Sequence, residues 1–168
     1  MIVPAKAMYM AKDLQRSADY WSVKIKPPKN PTDTILNKGS MLAQRFLTVI
    51  DMEEKDHLEQ AARELWERVW LRNETIHNVE DLEVVRLRFA SSKTSLPNGA
   101  ALIAKCGSEA VKEMLKKRTE TAVKQGCFGA PWIVVHKDQR ELCFFGSDRL
   151  PLIAHTIGCA FQGPQPQP

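Results

Sequence analysis

Gly146-Ser147-Asp148 sits between an apolar run and a stretch with helical spacing. Free backbone N–H groups and the helix dipole at a strand-to-helix junction form a site for an anion. The Ser147 hydroxyl adds a donor, and the Asp148 carboxylate can hold an ammonium. An α-amino acid head carries both charges, so this pair suits a carboxylate beside an amine. The simple alternative is a Ser/Asp helix cap. A second feature is Phe128-Gly129-Ala130-Pro131, which enters a strand. If the bond before Pro131 is cis, Ala130 can turn its N–H and C=O outward to pair with an extended peptide ligand; otherwise Pro131 is an ordinary strand-opening residue. Lys6 is a third candidate, a point charge for a second carboxylate or a plain surface lysine.

The thiols and imidazoles offer less. Cys106, Cys127, Cys143 and Cys159 contain no Cys-x-x-Cys pair, and His57, His77, His136 and His155 are scattered among them. That spacing speaks against a zinc site and against a dithiol redox motif, and reduced thiols are expected. No metal is therefore expected.

The elements that must position these residues change period along the chain. Residues 20–34 hold Pro27, Pro28 and Pro31 and read as an ordered extended connector. Ser40 can cap a helix over residues 40–50. Leu58, Ala61, Ala62, Leu65, Trp66, Val69 and Trp70 give one wide apolar face to a helix over 56–72, whose tryptophans read as core packing rather than a ligand box. Asn78 or Asp81 can start a further helix through Leu82 and Val85, and Pro97-Asn98-Gly99 breaks the chain before a short helix. A helix over 108–125 stops at Gly126. Residues 132–135 and 141–145 then read as a β-hairpin around a polar turn, His136–Arg140, and a helix follows over 148–157. The Pro/Gln-rich end, 162–168, is expected to be extended or disordered.

Composition narrows the class. With 168 residues, 43% hydrophobic and 26% charged, the chain is globular in composition. The net charge of +4 is spread along the chain and gives no case for nucleic acid. No apolar run approaches the ~18 residues of a membrane span, so no membrane insertion is expected. Neither a signal peptide nor a transit peptide is visible at the start.

In combination these segments resemble the kappa-class glutathione S-transferases. The resemblance rests on Gly126-Cys127-Phe128-Gly129-Ala130-Pro131, on Phe145-Gly146-Ser147-Asp148-Arg149, and on Lys6 through Leu14. It is supported by Lys38-Gly39-Ser40-Met41 with Arg45-Phe46-Leu47, and by Arg63 through Trp70. It implies an α/β, thioredoxin-like, DsbA-type fold with a long all-helical insertion. The boundaries it implies are 1–34 for a remnant of the thioredoxin-like half and connector, 35–107 for the insertion, 108–161 for the C-terminal thioredoxin-like part, and 162–168 for the tail. It implies glutathione as substrate, conjugation to hydrophobic electrophiles, peroxide reduction, a homodimer, and a mitochondrial or peroxisomal setting. Ala130 would pair with the cysteinyl part of glutathione beside a cis Pro131, Ser147 and Asp148 would hold its γ-glutamyl head, and Lys6 would lie toward the other end.

The family opens with a strand, a serine-bearing turn, a helix and a strand, and that serine favours the glutathione thiolate. The present sequence is expected to lack this βαβ unit, so that mostly helices and one C-terminal hairpin remain and no catalytic residue is assigned. Ala130 also stands where a bulkier apolar residue is usual. Two further readings follow: a catalytically impaired isoform that serves as a binding or dimerisation partner, and a 2-hydroxychromene-2-carboxylate isomerase, which shares the fold.

Overall fold

The computed structural model describes residues 4–90, 96 and 98–164. They fall into two compact units. One combines the residues up to Val23 with those from Lys117 onward, and the other spans Lys24–Lys116.

The second unit is helical. A π-helix, Thr32–Lys38, precedes α2 (Met41–Glu53), a 3-10 turn (Lys55–His57), α3 (Leu58–Trp70), α4 (Val79–Ala90) and α5 (Gly99–Lys105), and α6 (Glu109–Lys124) begins here. The apolar faces of these helices converge. Phe46 and Ile50 of α2, Ala61 of α3, and Leu82 and Val85 of α4 are 0% exposed, and Leu102 of α5 is 1% exposed. Each large side chain so buried contributes about 1.5–3 kcal/mol of transfer free energy.

The start of α4 and the buried arginine of α3 find polar partners inside this unit. The Asn78 side chain accepts from the Asp81 N–H at 2.8 Å, and the Asp81 carboxylate accepts from the Asn78 N–H at 3.2 Å. This reciprocal pair fixes the start of α4 as a capping box does, so both candidate starters act together. Arg68 of α3 is 5% exposed. Its guanidinium reaches Glu74 at 3.0 Å and Asp81 at 3.3 Å, and its Nε donates to the Thr75 carbonyl at 2.9 Å.

The first unit contains α1 (Pro4–Tyr20), β1 (Trp132–Lys137), β2 (Arg140–Phe145), a 3-10 turn (Ser147–Arg149) and α7 (Leu150–Ile157). The two strands pair antiparallel from Trp132↔Phe145 to Lys137↔Arg140. Asp138 and Gln139 between them have φ of 49° and 59°. Two left-handed residues in a two-residue loop match the twist of the strands. Along β2, half-buried Leu142 and Phe144 alternate with exposed Glu141, Cys143 and Phe145, the period of a strand packed on one face. The Lys137 ammonium donates to the Thr156 carbonyl of α7 at 2.6 Å.

Several local expectations change. The connector expected over 20–34 ends early, because Pro31 opens the π-helix. Ser40 occupies the N-cap position of α2 but makes no side-chain cap bond. The polar turn shrinks from 136–140 to Asp138–Gln139, since His136, Lys137 and Arg140 belong to the strands. Helix α1 is a new element whose Met8, Tyr9 and Met10 are more than half exposed. Trp66 is 57% exposed rather than core. Pro97 and residues 165–168 of the tail lie outside the described residues.

Candidate functional site

The Ala130–Pro131 peptide bond is cis. Ala130 and Pro131 are exposed, directly before β1. The Ala130 N–H and C=O have no hydrogen-bond partner among the described residues. Ala130 therefore presents an open donor and acceptor side by side, the pattern an extended peptide needs for backbone pairing. Pro131 is anchored, because its carbonyl accepts from the Gly146 N–H at 3.1 Å. That bond brings the Ala130–Pro131 turn and the Gly146-Ser147-Asp148 loop together at one end of the hairpin.

Packing supports both loops. The Phe128 ring lies 4.5 Å from Phe145 and 5.9 Å from Trp132, centroid to centroid. Gly129 leaves room for the Phe145 ring: a Cβ there would fall 2.8 Å from it, and the ring would have to shift. The Cys127 thiol donates to the Gly129 carbonyl at 3.3 Å. Gly146 has φ 110° and ψ 148°, a conformation adopted almost only by glycine. A Cβ on Gly146 would sit 2.5 Å from an Asp148 carboxylate oxygen, so the carboxylate folds back over this glycine.

Ser147 and Asp148 are exposed in the 3-10 turn, and Arg149 lies 3.6 Å from the Asp148 carboxylate. At 72% side-chain exposure Asp148 is open to an incoming ammonium, and such exposed pairing with Arg149 is readily exchanged. Lys6 is exposed on α1 and makes no hydrogen bond or ion pair among the described residues. The geometry thus joins four of the five candidates, Ala130, Pro131, Ser147 and Asp148, and leaves Lys6 apart on its helix. The supporting role of Gly146 was not read from the sequence; a glycine directly before Ser-Asp at a strand end was its only signal.

Among the described residues no cluster of three or more His, Cys, Asp or Glu side chains could hold a metal ion. No helix there is long and apolar enough to cross a membrane.

Comparison with known proteins resolves the family. Residues 1–158 match the DsbA-like thioredoxin domain. Glutathione S-transferase kappa 1 of Homo sapiens is 38% identical over 165 residues, covering 98% of this chain and 72% of the human protein. The chain belongs to the kappa-class glutathione S-transferases. The kappa 1 protein of Rattus norvegicus is 35% identical over 167 residues, covering 98% of this kappa-class chain and 72% of the rat protein. Glutathione S-transferase kappa 2 of Caenorhabditis elegans is 33% identical over 165 residues, covering 96% and 71%. Among solved structures, a 2-hydroxychromene-2-carboxylate isomerase superposes with a TM-score of 0.67 at 17% identity. That match covers 92% of this kappa-class chain but 66% of the isomerase, so the chain spans slightly less than two thirds of that protein. The likeness is one of fold. Kappa-class membership places this chain in an enzyme family, with a DsbA-like thioredoxin fold that is mostly helical and carries one two-stranded hairpin near its C-terminus, before α7.

Proposed function

We propose that this chain binds glutathione across the cis turn and the Ser-Asp loop, for conjugation to hydrophobic electrophiles. The observation that carries this reading is the Pro131–Gly146 hydrogen bond, which sets an open peptide edge beside an exposed carboxylate and hydroxyl. Glutathione offers the complement of both. Its cysteinyl backbone would pair with the N–H and C=O of Ala130. The ammonium of its γ-glutamyl head would meet Asp148, and the carboxylate of that head would accept from Ser147. Lys6, which the structure leaves apart from these loops, would meet the remaining carboxylate on the family resemblance alone.

The chemistry is attack of the glutathione thiolate on an electrophilic carbon, with loss of the leaving group. It requires the thiol, with a pKa of ~8.5 when free, to ionise more readily. The residues of this chain orient the peptide. None of them is assigned to the sulfur. Peroxide reduction, a homodimer and a mitochondrial or peroxisomal setting accompany this reading through the family resemblance alone.

Titration calorimetry with glutathione tests it. A charge-assisted contact contributes about 1.5–3 kcal/mol, so Asp148→Ala should weaken binding roughly ten- to hundredfold. Ser147→Ala should cost less, and Lys6→Ala least. Equal affinity in wild type and Asp148→Ala would refute this placement. A conjugation assay with a chlorinated nitroaromatic, run beside an assay with the chromene acid, separates transferase from isomerase.

A further inference from the structure

The helical unit carries a half-open cavity of about 230 Å³. It lies between the π-helix, α2 and α3, and none of its lining residues belongs to the turn or loop described above. We propose that this cavity is a binding site for a small, uncharged ring compound carrying one hydroxyl or comparable polar end.

Three features point to that class of ligand. The first is the wall. Trp66 and Trp70 stand one turn apart on α3 and both line the cavity, opposite Leu47 of α2. Trp66 is 57% exposed. Two indoles facing a void, one of them wet, leave aromatic surface that a flat ring would cover at little entropic cost. The second is the polar edge. Thr34, Ser40 and Gln44 also line the cavity. Their side-chain oxygens and amide make no hydrogen bond among the described residues, and Ser40 forgoes the cap bond open to it at the head of α2. The third is charge. The lining contains no Asp, Glu, Lys, Arg or His. An ionised ligand would lose hydration there and gain no counter-charge.

Size sets the rest. Cavities for drug-sized ligands run from ~300 to ~1,000 Å³, whereas an apolar cavity of ~150 Å³ holds a single benzene. A volume of 230 Å³ therefore fits one or two fused rings. The wall formed by the π-helix Thr32–Lys38 agrees with a binding role, because wide i→i+5 turns concentrate at functional sites. This turn is secured independently of any ligand: the Asn30 side chain accepts from the Asp33 N–H at 3.1 Å, and Lys38 meets Asp33 at 2.8 Å.

The test compares two probes that share one ring system, 1-naphthol and 1-naphthoate. Equilibrium dialysis with the full chain at neutral pH should give saturable, single-site binding of 1-naphthol and at least tenfold weaker binding of the anion. Trp66→Ala should weaken 1-naphthol binding roughly tenfold, and Trp66→Phe should restore most of it. Gln44 is exposed, so Gln44→Glu should fold normally and weaken binding by adding a charge at the polar edge; it stands in if Trp66→Ala does not fold. Glutathione affinity should be the same in all three variants. Equal binding of the two probes, absence of 1-naphthol binding, or unchanged binding in a folded Trp66→Ala or Gln44→Glu chain would overturn the proposal and leave the glutathione reading as it stands.

Discussion

The Gly146 N–H donates to the Pro131 carbonyl at 3.1 Å and ties the two candidate binding loops to one another. Gly146 can do so only in a backbone conformation closed to other residues, with φ at 110°. Gly146→Ala should therefore destabilise the chain by about 1–3 kcal/mol. It should also push Asp148 off its present position, because the added methyl would overlap the carboxylate. Gly107 is the control. A Cβ there meets nothing within 4 Å, so Gly107→Ala should be neutral. Urea denaturation of both variants reads the difference, and equal midpoints would refute the requirement for glycine at 146.

Arg68 governs the stability of the helical unit. Its charge is withdrawn from water and matched by Glu74 and Asp81. Removing one partner of such a pair leaves an uncompensated buried charge and costs about 3–5 kcal/mol. Arg68→Ala should show that loss in thermal unfolding. The double variant Arg68→Met with Asp81→Asn should recover part of it, since methionine refills the arginine's volume, position 81 no longer carries a charge, and Glu74 keeps Arg72 at 3.1 Å. A double variant less stable than Arg68→Ala would contradict this account.

Cys106 is 1% exposed. Burial pushes its thiol from 9.0 up to about 11. The folded state holds this proton more tightly than the unfolded state. The associated stability is complete below pH 9.0 and is lost as the pH climbs toward about 11. Linkage puts the loss at roughly 2–3 kcal/mol. Cys106→Ala should flatten the stability profile across that window relative to wild type. In thiol labelling of the native chain at mildly alkaline pH, Cys143 and Cys159 are exposed and should react first, with Cys106 last. Early labelling of Cys106 would contradict its burial.

The parts of the fold that were legible in the sequence share one cause, a periodic apolar pattern whose residues are buried or half-buried. Leu58, Ala61, Leu65 and Val69 announce α3, and Ile133, Val135, Leu142 and Phe144 announce the hairpin. The start of α4 was legible to within its two starters, because Asn78 and Asp81 bond each other reciprocally. Helix α1 was illegible since Met8, Tyr9 and Met10 face outward, leaving no buried stripe to detect. Pro4 in its first turn was the available sign. The π-helix was hidden for the opposite reason: Pro27, Pro28 and Pro31 dominate the local pattern, and the features that secure the turn, Asn30 and the Asp33–Lys38 pair, are side-chain contacts rather than periodicities. At the candidate site the residue types of Ala130, Pro131, Ser147 and Asp148 could be read. Their meeting through Gly146 could not, because a backbone hydrogen bond between distant segments leaves no mark on residue identity.

The tight loop at Asp138–Gln139 makes the hairpin a ruler. Every rung from Lys137↔Arg140 to Trp132↔Phe145 is counted from that tip. Slipping the count by one would turn Leu142 and Phe144 outward and bring Glu141, Cys143 and Phe145 inward. It would also shift Gly146 by one strand residue, ~3.3 Å, past its partner Pro131. The tip can thus exchange its residues for others that accept a left-handed backbone, asparagine and glycine first among them. Its length is held by the loops at the far end of the strands. Natural variation in this segment should therefore take the form of substitution at 138 and 139, with insertions and deletions confined elsewhere.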